Sequence, residues 1–498
     1  MGHANLKVLG MRFVNLRLFL IALITTCLIT SSRAQSSPSE LHIEDVTVID
    51  VKGGPAQVHQ CVTVKNDRIT DVAGAERCPK RLQGDAVWID GKGKFLIPGL
   101  WDMHVHMVFG DWFPRGKEVT LPLFVANGIT GVRDMGGDLD ALLSWRREIE
   151  AGTLTGPHIV ASGPMLIPRG KKNAEQYPVA NAEEARAAVQ ELKQRGADFI
   201  KIIGLPSREA FFAVADEAKK QTLPFVGHVP AVITAAEASD AGMRSIEHIV
   251  YSGLALDCSG KEKELREAIL QARVKQDAKA SAQALTEAVA TFSAEKASEL
   301  WARFKRNGTW VVPTLYSISI QAPRHITPEQ QANDPQLDFV PKALREEWDP
   351  RAEKNQASPE DQKWWAKQFG NDWKLAAAMH KAGVAMLAGS DSLDRFVFPG
   401  SSLHQELRLL QEDGFTPLEA LRSATLDAAR FVGREKEYGV VAVDAHADLV
   451  MLDANPLEDI ANVGKISGVI RDGVFLDRAS LDALLAQAKA AAKVASAN

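Results

Sequence analysis

The stretch "FLIPGLWDMHVHM", residues 95–107, runs apolar through Leu100 and then places His104 and His106 one residue apart. Alternate side chains of a β-strand share a face, so these two imidazoles sit on one side of the strand, about 7 Å apart along the chain. Two rings so placed can converge on one ion. They equally fit two separately hydrogen-bonded histidines of a core or a rim. The rest of the chain has to decide between them.

Downstream, seven further apolar runs alternate with helical stretches: "GITGVRDMGG" (128–137), "HIVASGPML" (158–166), "DFIKIIG" (198–204), "PFVGHV" (224–229), "RSIEHIV" (244–250), "WVVPTL" (310–315) and "VAMLAGSD" (384–391). With the opening run this makes eight strands. Most precede amphipathic helices such as 183–195, 207–220 and 402–413, which predicts an α/β fold, a (β/α)8 barrel with parallel strands. Barrel enzymes work at the C-terminal ends of their strands. There the sequence places His104 and His106 on the first strand, Lys201 on the fourth, His228 on the fifth, His248 on the sixth and Asp391 on the eighth.

Imidazole nitrogen and carboxylate oxygen are sound ligands for Zn²⁺ and similar ions. Lys201 is the odd member, because an ammonium repels cations. A neutral amine that has captured CO₂ becomes an anionic carbamate able to bridge two ions; the plain alternative is a lysine that snorkels to the rim or pairs with Asp391. Ile200 and Ile202 on the opposite face, with histidines on neighbouring strands, favour the carbamate.

Weaker candidates surround this set. Arg133 and Asp134 end the second strand, where they either bind a substrate carboxylate, orient a ligand histidine, or form a rim ion pair. His404 opens the helix after Asp391 and reads as a solvated helix-start residue or a substrate contact. His158 begins its strand and belongs to the far face. Phe109, Trp112 and Phe113 follow the first strand and form either a pocket wall or packing beneath a lid.

The flanks read differently. "HIEDVTVIDVKGG" (42–54) and "AVWIDGKGK" (86–94), then "ADLVMLDANP" (447–456) and "VIRDGVF" (469–475), alternate β-branched runs with turn residues, which predicts one β-sandwich built from residues 35–94 and 434–480. The barrel then spans 95–433, with a terminal helix over 481–498. Residues 258–306 and 316–375 are too long for simple loops and read as helical lids. Trp348, Trp364, Trp365 and Trp373 fall in the second.

Lys7, Arg12 and Arg17 precede the apolar run "LFLIALITTCLIT" (18–30) and small residues at Ser32 and Ala34, the pattern of a signal peptide over 1–34 cleaved after Ala34. The run is shorter than the roughly 20 residues of a membrane span, so the expectation is export to a periplasm or the exterior with no membrane span left after cleavage. A lipid on Cys27 is disfavoured by Thr26 before it. Export permits a disulfide, for which Cys61 and Cys78 are the expected pair; with no Cys-x-x-Cys, sulfur ligation of a metal is not expected. A net charge of -5 over 498 residues, without a basic run, argues against nucleic acid and for a small-molecule or short-peptide substrate. The oligomeric state is left open, a homo-oligomer included.

"PGLWDMHVH", "FIKI", "VGHV", "SIEHI", "AGSD", "SATLDAARFVG" and "ADLVMLDANPLEDI" together resemble the amidohydrolase superfamily, in its imidazolonepropionase-like and prolidase-like branch, from about residue 42 to about residue 475. The resemblance implies a distorted TIM barrel, a β-sandwich from both flanks and two divalent ions, Zn²⁺ by expectation. It implies that His104, His106, Lys201 and Asp391 hold the more buried ion, and that carbamylated Lys201, His228 and His248 hold the other. A water shared by two cations ionises near neutral pH. Asp391 is then the catalytic group, taking the proton as hydroxide attacks a carbonyl and passing it to the leaving amine. The expected activity is hydrolysis of a C–N amide bond in a dipeptide or N-acyl amino acid. The alternatives are a lactonase, esterase or phosphotriesterase on the same centre, and last a binding protein that has lost catalysis. The long inserts set this chain apart from the resemblance and leave the substrate open.

Overall fold

The computed structural model describes residues 40–81, 86–109, 116–322 and 327–494. The expected signal segment, with Trp112 and Phe113, lies outside them. The N-terminal flank forms β1 (Glu40–Val48), β2 (Gln57–Lys65), β3 (Arg68–Gly74), β4 (Val87–Asp90) and β5 (Phe95–Pro98). One side of β1 pairs with β2 throughout, but its other side changes partner. Leu41–Glu44 run parallel to β4, and Thr47–Val48 parallel to β5. Between them Asp45 has φ 56° and the register slips, the bend a bulge introduces.

The opening run divides, against the expectation of one continuous strand. Pro98 ends β5, and after a single residue β6 (Leu100–Val105) starts the barrel. The cause is Gly99: a Cβ there would lie 2.1 Å from Thr130 Oγ1, so only glycine lets the chain cross from sheet to barrel at this point. Gly99 N donates to Asp448 O at 2.7 Å and Leu100 N to Gly128 O at 3.0 Å, one bond on each side of the crossing.

In the barrel, β7 (Ile129–Asp134) and β8 (His158–Ala161) lie parallel to β6. A second parallel sheet holds β9 (Met165–Ile167), β10 (Gln176–Pro178), β11 (Ile200–Ile202), β12 (Phe225–Gly227), β13 (Ser245–Glu247) and β14 (Trp310–Val312), in the order β10-β9-β11-β12-β13-β14. Asp198 N to Ala161 O, 2.9 Å, joins the two sheets. The eighth position differs from the expected strand. The segment 384–392 makes only isolated bridges, Met386 to Val311 and Ser392 to Val105, and closes the barrel through Met103 N to Ala388 O (3.0 Å) and Asp391 N to His104 O (2.7 Å). Asp391 has φ 63°, outside strand geometry, and a Cβ on Gly389 would sit 2.8 Å from His104 Cβ.

The helices between strands follow their apolar spacing. Ala182–Gln194 buries Ala185, Ala188, Val189 and Leu192, and Asn181 caps its first turn. The long connections are helical: Glu262–Lys275 and Ala278–Ala290 after β13, then Leu315–Gln321, Pro328–Ala332, Lys342–Trp348 and the first part of Pro359–Lys381 after β14. Trp364, Trp365 and Trp373 pack around Val250, Ile318 and Phe369, whereas Trp348 packs on Phe396 and Phe398. Returning to the flank, β15 (Leu449–Leu452) pairs with β5, and β16 (Ile466–Arg471) and β17 (Val474–Asp477) extend that sheet. The sandwich-like flank thus takes strands from both ends of the chain. Helix Arg478–Val494 follows and covers Val119 and Leu123 with Ala488 and Ala492. A disulfide joins Cys61 and Cys78, while Cys258 is free and buried. Among the described residues no helix is long and apolar enough to cross a membrane.

Candidate metal centre

All six residues singled out at strand ends line one cavity of about 230 Å³ at the C-terminal end of the barrel. Ligand atoms of His104, His106 and Asp391 lie within 4.8 Å of one another. Asp391 Oδ1 is 3.3 Å from His104 Nε2 and 3.5 Å from His106 Nε2. The ring of His248 lies 4.6 Å from that of His104 and 5.0 Å from that of His228. Lys201 projects from the middle of β11 and is 1% exposed.

Hydrogen bonds to the outer ring nitrogens orient the imidazoles. His104 Nδ1 donates to Glu247 Oε2 at 2.9 Å, and His106 Nδ1 to the Gly136 carbonyl at 3.0 Å. His248 Nδ1 lies 2.6 Å from Thr314 Oγ1, whose proton goes to the Pro313 carbonyl at 2.8 Å, so the hydroxyl accepts from the ring. Nε2 of His104 and of His248 is thereby left with a lone pair, the arrangement found around metal-bound histidines, and Nε2 of His106 faces Asp391 Oδ1 at 3.5 Å. His104 Nε2 and Lys201 Nζ are buried and have no hydrogen-bond partner.

The charge states of His104, His228, His248 and Lys201 agree with ligation. Burial, together with the neighbouring Lys201 charge, holds His104 and His228 well below the usual imidazole range. Burial brings His248 down to about 4 against the pull of Asp391. Burial also lowers Lys201 to about 8, which places a neutral amine within reach near physiological pH. His106 alone is raised: burial opposes its charge, but the hydrogen bond and charge of Asp391 outweigh it. For Asp391 burial favours the acid, and the facing His248, His104 and His106 outweigh burial to keep it ionised. Its Oδ2 accepts from Ser317 Oγ at 3.1 Å. These residues therefore fit divalent ions, with orphaned nitrogens and a carboxylate converging on one space.

Arg133 takes one of its three sequence readings. It is fully buried and donates to both Glu247 oxygens at 2.9 Å, to Ser245 Oγ at 3.0 Å and to the Met103 carbonyl at 2.6 Å, so it orients His104 through Glu247 and is out of reach of substrate. Asp134 accepts from Met107 N at 2.7 Å and Gly136 N at 3.1 Å, fixing the loops beside His106. Neither forms a rim pair. His404 is half-buried and lies outside the cavity; its Nε2 is 2.9 Å from the Asn127 carbonyl. His158 stands at the opposite end of the barrel, 2.7 Å from Asp448 Oδ2. Phe109 does line the cavity, 5.6 Å from the His106 ring, together with Met165, Ile203, Tyr251 and Leu393.

Sequence reasoning passed over Glu247, Asp102, Thr314 and Tyr251. Glu247 and Asp102 each carried a signal, a carboxylate inside an apolar strand run. Asp102 accepts from Ser390 N (2.9 Å), Ser390 Oγ (2.5 Å) and His104 N (3.3 Å), and so ties the first strand to the eighth. Thr314 and Tyr251 carried none, because only the three-dimensional arrangement brings their loops to the histidines.

Over 468 aligned residues the chain is 23% identical to ochratoxinase of Aspergillus niger, the alignment spanning 82% of this chain and 81% of that enzyme. Bottromycin amidohydrolase superposes with a TM-score of 0.67 at 21% identity, covering 92% of this chain and 91% of that one. A prolidase solved with N-methylphosphonate-L-proline gives a TM-score of 0.63 at 25% identity over 88% of this chain and all of the other. Residues 95–476 match the profile of the Amidohydrolase family, whose members are typically metal-dependent. The chain belongs to the Amidohydrolase family and is a hydrolase acting on carbon–nitrogen bonds.

Proposed function

We propose that this chain is an exported, metal-dependent amidohydrolase that cleaves the amide bond of a dipeptide or N-acyl amino acid. The observation that carries the reading is the pair of buried, partnerless nitrogens, His104 Nε2 and Lys201 Nζ, in one cavity with Asp391. His104, His106, Asp391 and Lys201 as its carbamate would hold one ion, and the same carbamate with His228 and His248 a second; Zn²⁺ suits this donor set. When bound, such ions polarise a carbonyl oxygen and lower the pKa of water. Ser317 holds Asp391 by Oδ2. Oδ1 is thereby aimed at the histidines, placed to take a proton from attacking water and return it to the departing amine. Phe109, Met165, Ile203 and Leu393 supply an apolar wall for the acyl group and limit water around it.

The names of the similar proteins, an ochratoxinase, a prolidase and a bottromycin amidohydrolase, support amide substrates. Export is supported by the leader-like pattern of residues 1–34 and by the Cys61–Cys78 disulfide, which an oxidising compartment maintains. Asp391→Asn tests the chemistry. It keeps the size of the side chain and should lower kcat by about 10²–10⁴-fold with metal occupancy measured on the same sample. A variant that keeps its metal and the parent rate removes Asp391 from the reaction. A panel of dipeptides, N-acyl amino acids, lactones and phosphotriesters tests the substrate class, and turnover confined to the last two overturns it.

A further inference from the structure

A second cavity, of about 390 Å³, opens at the opposite end of the barrel, where the strands begin. It is larger than the catalytic cavity and falls in the roughly 300–1,000 Å³ range of small-molecule sites. Barrel interiors are ordinarily filled by layers of side chains. Here one such layer, in which Val160, Phe199, Val226 and Phe431 pack with Trp101, Met103 and Leu387, forms the floor of the cavity. Its inner wall is Arg133, whose guanidinium lies 4.8 Å from the Phe431 ring and 5.7 Å from the Phe199 ring and is held by Glu247.

The rim is built of arginines. Arg146 is ion-paired with Asp198, but its Nε is buried with no acceptor. Arg434 is paired with Glu437 at 3.1 Å. Arg244 lies 5.2 Å over the Phe431 ring and donates only to the Phe431 carbonyl, at 3.1 Å; among the described residues it has no carboxylate within ion-pair distance. Two arginines thus retain unmet N–H donors at the mouth of an apolar space, against two carboxylates in its lining, Asp198, which is paired with Arg146, and Glu150. A guanidinium without an acceptor recognises an anion, and aromatic walls behind it recognise an apolar body.

We propose that this cavity binds a small anion with an apolar body, of the aryl carboxylate or aryl sulfonate class, its head on Arg244 and Arg146 and its ring on the apolar floor formed by Val160, Phe199, Val226 and Phe431. Benzenesulfonate is the probe, because a sulfonate ligates metal ions poorly and avoids the catalytic centre. Isothermal titration of the metal-loaded enzyme should show one site with Kd of about 1 mM or tighter. Methanesulfonate, which lacks the ring, should bind at least about 10-fold more weakly. Arg244→Gln removes the head-group contact and should weaken benzenesulfonate by about 10-fold or more. Arg434→Gln, at the same mouth, should weaken it less. Both side chains are exposed, and a thermal scan of each variant checks its folding. Absence of binding to the parent enzyme at about 10 mM probe, or equal binding by the parent and Arg244→Gln, overturns the proposal.

Discussion

Glu247→Gln keeps the outline of the side chain and removes its charge, at a point where three donors converge through four hydrogen bonds. The carboxylate accepts from His104 Nδ1, from Arg133 through both oxygens and from Ser245 Oγ. A glutamine amide offers one acceptor oxygen and turns two donor hydrogens toward groups that are themselves donors. Arg133 is then a buried cation without a counter-charge, and removing one partner of a buried pair costs about 3–5 kcal/mol. A chain of 498 residues unfolds with an entropy of about 1 kcal/mol/K. The midpoint in calorimetry should therefore fall by only about 3–5 °C. The effect on the centre should be larger in proportion: His104 loses the anion that fixes its tautomer, and metal affinity should drop about 10–100-fold in chelator competition. Adding Arg133→Met to Glu247→Gln removes the stranded cation and should recover part of the stability but none of the metal affinity. Glu247→Gln protein with parental metal affinity and an unshifted midpoint would refute the orienting role assigned to Glu247.

Lys201→Ala should lose activity and metal together, with partial rescue by propionate standing in for the carbamate; full metal content and rate would make Lys201 structural. Glu406 is buried and accepts from Leu315 N at 3.0 Å and Tyr316 N at 2.7 Å, and burial raises its pKa to about 8. The folded state therefore binds this proton more tightly than the unfolded state, and the stability it contributes is complete below about pH 4.5 and lost as pH rises through about 8. Thermal midpoints from pH 5 to about 8.5 should fall in the parent and flatten in Glu406→Gln. Cys61→Ser opens a loop with a sequence separation of 17 and should cost about 3 kcal/mol, read by urea unfolding with and without reductant; identical curves would leave the bridge without effect.

The barrel and the candidate metal centre were legible for one physical reason. Each ligand follows an apolar run short enough to be a strand, so placing the strand places the ligand at its end, as with Lys201 in "FIKI" and His228 in "VGHV". The groups that orient those ligands were not. Glu247 stands beside His248 in "SIEHI", and strand alternation sends it to a different partner, His104 on β6, which local pattern does not identify. Arg133 stayed ambiguous for the same reason, since its role depends on a carboxylate 114 positions away. The division at Gly99 was hidden because Phe95–Val105 is uniformly buried on both sides of the crossing apart from the half-buried Phe95, leaving no change of pattern to mark it.

The irregular eighth position and the geometry of the candidate site share a cause. His248, Thr314 and Asp391, at the ends of the sixth, seventh and eighth barrel positions, have φ of 58°, 49° and 63°, a region costly for residues other than glycine. A regular strand would carry alternate side chains up and down the barrel wall; the left-handed residue turns the chain where the side chain must face the axis. Each is fastened by neighbours. His248 N donates to the Val312 carbonyl at 2.9 Å, and Asp391 N to the His104 carbonyl. Glu406 grips the two amides that follow Thr314. The turn it grips supplies both the hydroxyl that orients His248 and, at Ser317, the hydroxyl that holds Asp391. One carboxylate outside the cavity thus sets the direction of a histidine and of the proposed proton carrier together, so loosening that turn should disturb both, even though no atom of Glu406 reaches the site.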